Sequence, residues 1–355
     1  MKAIDRVKER YADYKALDSK DKATFWKEAL INNAMYILIV LAVIYTWSQN
    51  HLFLSVSSIV NIISLSAANI PIAVGIAGCI VLTGTDLSAG RIVGLTACIS
   101  ASLLQSMNYA TRIFDFKPLP IPVVILIVIC VGAAIGLVNG FFVAKFNLHP
   151  FIVTLATQLI TYGILLMYIM INGNNGQPIS GLDQSFKDFV SGSIVKLGKT
   201  PIPNYVWYAV IIVAIMWFIW NKTTFGKKMF AVGSNPEAAN VSGVNVAKTT
   251  ILVHTLAGAM YGITGFIESA RIGSNQANTG LNYECDAIAA CVIGGVSFVG
   301  GTGKISGVVL GVFILRIIFV ALNFLSINQN LQYIIKGLII LAACAIDMRK
   351  YLVRK

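Results

Sequence analysis

Residues 121–144 read IPVVILIVICVGAAIGLVNGFFVA, twenty-four positions without one charged side chain. A bilayer span needs about 20 such residues. Comparable stretches lie on both sides of this one, at 33–50, 59–82, 90–108, 151–171, 205–221, 250–270, 286–300, 304–325 and 329–346. With 121–144 they make ten candidate spans. The eighth is short, and the second is interrupted by Pro71. Short or broken spans line pathways, because irregular backbone survives at membrane depth only beside protein or water. Across 355 residues, hydrophobic side chains make up 57% and charged ones 12%, with mean hydropathy +0.77. Soluble domains carry about a quarter charged residues. The expected fold class is therefore all-α: a polytopic helical membrane protein with about ten transmembrane helices.

The net charge of +12 suggests nucleic acid until the charges are located. Eight of the 27 lysines and arginines fall in the first thirty residues, and four in the last seven. That is the distribution of cytoplasmic flanks facing anionic lipid. No basic stripe interleaved with aromatics occurs, so no nucleic acid is expected. With the N-terminus inside, the 222–249 loop with Lys222, Lys227, Lys228 and Lys248 also lies inside, and so does the basic tail 349–355. The 48–58 loop, without Lys or Arg, and the long 172–204 loop fall outside. Three parts result: an N-terminal segment 1–32, a transmembrane domain 33–348 and the tail. Ile4, Val7, Tyr11, Tyr14 and Leu17 share one helical face, so residues 4–17 are expected to lie on the inner leaflet. Residues 1–28 are too charged for a secretory signal peptide.

Catalytic machinery is not evident. GTGKI at 301–305 lacks both the earlier glycine and the Ser or Thr of a phosphate loop, and a tight turn is expected there. His51, His149 and His254 form no zinc-type pair, and the six cysteines no Cys-x-x-Cys. No Gly-x-Ser-x-Gly elbow is present, and neither cofactor nor metal is expected.

Glycines recur every fourth residue at Gly132, Gly136 and Gly140, and at Gly303, Gly307 and Gly311, with Gly258 and Gly262 as a shorter case. Each set bares one helix face to a close neighbour. Ionisable side chains in or beside the spans are Asp86, Arg91, Glu268, Arg271, Glu284, Asp286, Arg316 and Lys336. Each is costly in lipid and so a functional candidate. Glu268 and Arg271, three apart, read as a local ion pair. The run TGTDLSAGR at 83–91 is rich in hydrogen-bonding groups. It could line a path for a hydroxylated solute, or form a turn in which Asp86 or Ser88 caps the next helix. Thr85, Asp86, Ser88 and Asn139 are the pathway candidates. In the cytoplasmic loop, Asn235 suits an N-cap, Pro236 the first helical position and Glu237 the positive helix end, with Gly243 as the stop. Ala238, Ala239 and Ser242 give this helix a low profile that could seat in a partner's groove.

GTDLSAGRIVGL (84–95), PFIVTLATQLITYGI (150–164), FGKKMFAVGSNPEAANVSGVNV (225–246), CDAIAACVIGGVSFVGG (285–301) and LQYIIKGLIILAACAID (331–347) occur in this order. Together they resemble the monosaccharide-import permeases of ABC transporters, above all the galactose/methyl-galactoside type. The resemblance covers about residues 50–350. It implies a permease homodimer in the bacterial inner membrane, ATP-binding subunits below it and a periplasmic sugar-binding protein above. It also implies that Asn235 to Gly243 contact the ATPase, which hydrolyses ATP outside this chain. The Ile-x-Leu-Pro end of the fuller coupling motif is missing here. A ribose, xylose or other hydroxylated cargo is the nearest alternative. An ion-coupled symporter is another; it would need a carboxylate near the midplane, whereas Asp86 is expected near a membrane edge. An intramembrane enzyme lacks any nucleophile or metal constellation. The Asn-, Gln- and Gly-rich segment 272–285 is the expected docking loop for the binding protein.

Overall fold

The computed structural model describes residues 34–352. The expected interfacial helix at 4–17 lies outside the described residues, as do 353–355. Each of the ten apolar stretches carries a helix. In chain order the membrane-facing set opens with α1 (Ala34–Gln49), α2 (Val56–Val81), α3 (Ala89–Leu103), α4 (Ile121–Phe146) and α5 (Pro150–Tyr168). Then follow α6 (Gln184–Ser191) and a hairpin of β1 (Val195–Leu197) with β2 (Thr200–Ile202), ahead of α7 (Asn204–Lys222). The remainder is α8 (Thr224–Ser234), α9 (Pro236–Val241), α10 (Val246–Ile272), α11 (Tyr283–Ile293), α12 (Ile305–Phe324) and α13 (Gln329–Leu352). Among the described residues, α2, α4, α5, α7, α10 and α12 are long and apolar enough to cross a membrane.

Local chemistry explains the helix ends. Ser55 accepts from the Ser58 N–H at 3.2 Å to start α2, and Asn245 from the Lys248 N–H at 2.8 Å to start α10. Within α2, Ser64, Ser66 and Asn69 donate to the carbonyls of Val60, Ile62 and Leu65, which satisfies polar side chains in an apolar setting. The most apolar windows of α2 and α10 are each 72% buried, against 22% for α4, so α2 and α10 form the centre and α4 faces outward.

The contact of α10 with α4 is the most extensive in the chain, followed by those of α10 with α3 and α2. Glycines make it possible. A Cβ on Gly132, Gly136 or Gly140 would overlap the backbone of Gly258, His254 or Ile251, and one on Gly258 or Gly262 would overlap α4. The second series divides. Gly307 and Gly311 lie against the Gly294 and Ala290 carbonyls at the end of α11. Gly303 is not on their helix, because Lys304 has extended φ/ψ (−136°, 136°) and α12 starts at Ile305.

The helix in the eighth expected span is too short to cross by itself. The 11 residues of α11 reach about 16 Å, roughly half the hydrocarbon core. Ahead of it, residues 273–282 fold inward along α3: the Arg91 Nη1 donates to the Ala277 carbonyl at 3.1 Å, and Thr279 and Gly280 press on Gly94 and Gly90. Gly280 has φ +78°, and a side chain there would overlap the Gly90 carbonyl. The segment expected as an outer docking loop is partly interior: Asn275, Thr279 and Glu284 are buried, while Ile272, Gln276, Asn278 and Leu281 are exposed.

Gly136→Leu should disrupt the α4–α10 contact by at least about 1–3 kcal/mol, the usual cost of overpacking. It is expected to lower Tm in detergent. Gly163→Ala, at a helical glycine with open space around its Cβ position, should leave Tm unchanged or slightly raised. Equal melting of both variants and the parent would contradict the packing account.

Candidate translocation site and coupling surface

The turn between α2 and α3 packs into the protein beside α4, α5 and α10. Asp86 Oδ1 accepts from the Ser88 backbone N–H at 3.0 Å and from the Ser88 hydroxyl at 2.6 Å. Asn139 Nδ2 on α4 donates to the same hydroxyl at 3.0 Å. Thr154 on α5 donates to the Thr85 carbonyl at 3.3 Å and accepts from the Leu87 N–H at 3.1 Å. Ser88 stands at the N-cap of α3 without a side-chain capping bond, because its hydroxyl is engaged by Asp86. Asp86, Ser88 and Asn139 have no exposed surface, so in this conformation they cannot touch a cargo, while Thr85 is partly exposed. Asn139, which holds Ser88, is seven residues inside the end of α4, about 10 Å by helical rise.

A second group surrounds the start of α11. Asp286 is held between Lys336 Nζ at 2.6 Å and Arg316 Nη2 at 3.6 Å, which supplies the partner for Arg316 that sequence did not identify. Glu284, buried, lies against Gly90 with Arg91 in electrostatic reach, and the Arg91 guanidinium stacks 4.1 Å over the Tyr162 ring. Arg271 pairs with fully buried Glu268 at 2.6 Å, and the Tyr283 hydroxyl donates to the same carboxylate at 3.2 Å. The expected Glu268–Arg271 pair therefore forms. Arg91, Asn282, Cys285, Arg316 and Lys336 all remain partly exposed. Between α12 and α13 a cavity of about 200 Å³ is lined by Arg316, Phe319, Asn323, Gln332, Tyr333 and Lys336. Half-helix ends and polar groups at membrane depth are the usual elements of a transport site.

Segment 222–249, expected to be cytoplasmic, contains two helices where one was expected. Thr223 caps α8 by accepting from the Gly226 N–H at 3.2 Å. Asn235 caps α9 by accepting from the Ala238 N–H at 2.9 Å, Pro236 occupies its first turn, and Gly243 ends it at φ +82°. Pro236, Glu237, Ala238 and Ser242 are exposed and Ala239 is turned inward. Val241 is 91% exposed at the tip, an apolar group with nothing covering it. Behind α9 runs a groove of about 640 Å³ lined by Ala144, Asn147, Glu237, Asn240 and Val244. Through α8 this surface reaches the end of α2: Gly233 lies against the Val81 carbonyl, which also accepts from the Gly301 N–H at 2.9 Å. The turn carrying Asp86 begins directly after Val81.

A family described as branched-chain amino acid transport system / permease component matches residues 58–344. The chain belongs to this permease family. Among its relatives, the galactose/methyl galactoside import permease protein of Escherichia coli strain K12 is 48% identical over 341 residues, covering 96% of this chain and 99% of that one. The same-named protein of Haemophilus influenzae is 45% identical over 92% of this permease and 97% of its own length. The ribose import permease protein of H. influenzae is 35% identical over 90% and 93%. No solved structure matches.

Asp286→Ala would leave Arg316 and Lys336 uncompensated at membrane depth. A cost of about 3–5 kcal/mol is expected for breaking such a pair, read as a lower Tm in detergent. Adding Lys336→Met should recover part of the loss. A parental Tm for Asp286→Ala would remove the triad from the supports of the fold.

Proposed function

We propose that this chain is the membrane permease subunit of an ATP-driven importer in a bacterial inner membrane, moving galactose or methyl galactoside. The carrying observation is near-complete, 48% identical coverage of a permease with that cargo in its name; the lower identity to a ribose permease makes ribose the weaker alternative. A periplasmic sugar-binding protein would deliver the cargo, a separate ATP-binding subunit would hydrolyse ATP, and a second copy of the chain would complete the channel.

The topology has ten crossing segments with both termini in the cytoplasm. The inward-folded residues 273–282 and α11 together make one crossing, which keeps α8 and α9 on the same side as the basic ends. Asn235 to Gly243, with Val241 at the tip, seat on the ATP-binding subunit. Movement there passes through α8 to Val81 and reaches the Asp86 turn and the start of α3. Asp86, Ser88 and Asn139 position this turn, and Thr85 sits at its partly exposed side. The cargo follows the polar face of Arg91, Asn282, Arg316 and Lys336, which the second copy would enclose.

Labelled galactose uptake in cells with the binding protein and ATPase present should depend on this chain. It should be lost on ATP depletion and persist when the proton gradient is collapsed at maintained ATP. The opposite dependence would favour a symporter. No chain-dependent galactose uptake, with ribose uptake present, would change the cargo alone. Val241→Asp should reduce uptake at least tenfold at parental membrane abundance and Tm, since an exposed side chain contributes little to folding. Normal uptake by that variant would remove α9 from the coupling contact.

A further inference from the structure

Asp86 raises a question that its place in the turn does not answer. Its Oδ1 is fully used by Ser88, while Oδ2 is buried without any hydrogen-bond partner. Among the described residues no Lys or Arg forms an ion pair with it. An ionised carboxylate in that position costs several kcal/mol unless a cation or further hydrogen-bond donors face it.

Two further donors converge there. Cys79 Sγ, from α2, and His254 Nδ1, from α10, stand 3.6 Å apart although 175 residues separate them in sequence. One ligand atom from each of Cys79, Asp86 and His254 lies within 4.8 Å of the others, and all three residues are buried. A tetrahedral ion with bonds of about 2.3 Å to sulfur and about 2.0–2.1 Å to nitrogen holds those two atoms about 3.6 Å apart. The Tyr261 hydroxyl interacts with Asp86 and Cys79, so a fourth oxygen is at hand.

We infer that Cys79, Asp86 and His254 form a binding site for a borderline-soft divalent metal ion, with zinc as the type. The donor set selects against calcium and magnesium, which require oxygen shells. A thiolate and a carboxylate neutralise the dication, so the filled site carries no net charge into the interior. On binding, the Cys79 thiol gives up its proton as the sulfur–metal bond forms, and the proton leaves to solvent. The Asn139–Ser88–Asp86 chain of hydrogen bonds fixes the carboxylate with Oδ2 free, as ligand-orienting groups do. The ion would tie α2, the Asp86 turn and α10 together. This site stands independently of which cargo the permease moves.

The test counts metal in the full-length chain, purified with a histidine-free tag from cells grown with added zinc. About one zinc per chain is expected, at least tenfold less in Cys79→Ser and in His254→Gln, and no change in Cys130→Ser. Protein from zinc-depleted, cobalt-supplemented cells should show thiolate-to-cobalt charge-transfer absorption that Cys79→Ser abolishes. This spectrum decides the matter even if His254→Gln fails to fold. Parental zinc content no higher than that of Cys79→Ser, or a cobalt-grown protein without the thiolate band, overturns the site.

Discussion

Two backbones meet where α4 crosses α10, with hardly a side chain between them. In lipid the hydrophobic effect does little to hold helices together, and close van der Waals approach takes its place. Gly132, Gly136 and Gly140 on one helix and Gly258 and Gly262 on the other permit that approach. The rest of the interior follows from it. With α4 drawn in, Asn139 reaches Ser88; with α10 fixed, His254 reaches Cys79. The same helix uses Gly265 to accept Thr96 of α3. A central α10 thereby holds α3 at the height where the inward-folded segment 273–282 can lie along it.

That segment shows how irregular backbone is tolerated at depth. Its backbone finds partners in the protein: the Asn275 N–H donates to the Ile179 carbonyl at 2.9 Å, and the Ala277 carbonyl accepts from Arg91. Folding it inward places the N-terminal turn of α11, with Glu284 and Asp286, inside the bundle. Carboxylates at a helix N-terminus are favoured by the helix dipole. Lys336 and Arg316 then complete the compensation for Asp286. The charged residues are thus concentrated around one discontinuity in the helical framework.

The spans, caps and glycine face were legible because each is a local pattern. Twenty apolar residues, an Asn-Pro-Glu helix start and a four-residue glycine spacing all lie within a few turns. What sequence missed depends on distant partners. Residues 272–285 look like a surface loop by composition, yet Thr279, Gly280 and Glu284 are buried against Gly94 and Gly90, which leave room for them. His254 and Cys79 each look like an isolated packed side chain until α2 and α10 bring them together. Gly303 fits the spacing of Gly307 and Gly311, yet the backbone is still extended at Lys304, so spacing alone misassigned it. The helix α8 just before α9 was missed although it is the longer of the two; Lys227 and Lys228 within it and Gly226 and Gly233 near its ends mask its pattern.

The position of α8 also bears on the proposed drive of the permease through α9. In that scheme, force applied at α9 would not need to cross the bilayer to reach a site inside it. Gly233 and Gly301 bring α8 and the turn before α12 against the Val81 carbonyl, with no side chains to absorb a displacement. Close-packed interiors transmit strain better than flexible contacts do. Val81 is followed within five residues by Asp86, whose bonds to Ser88 set the start of α3. In the proposed scheme a shift at α9 would therefore reach the helix whose Arg91 and Gly90 face the inward-folded segment, and there it would change what the polar face exposes.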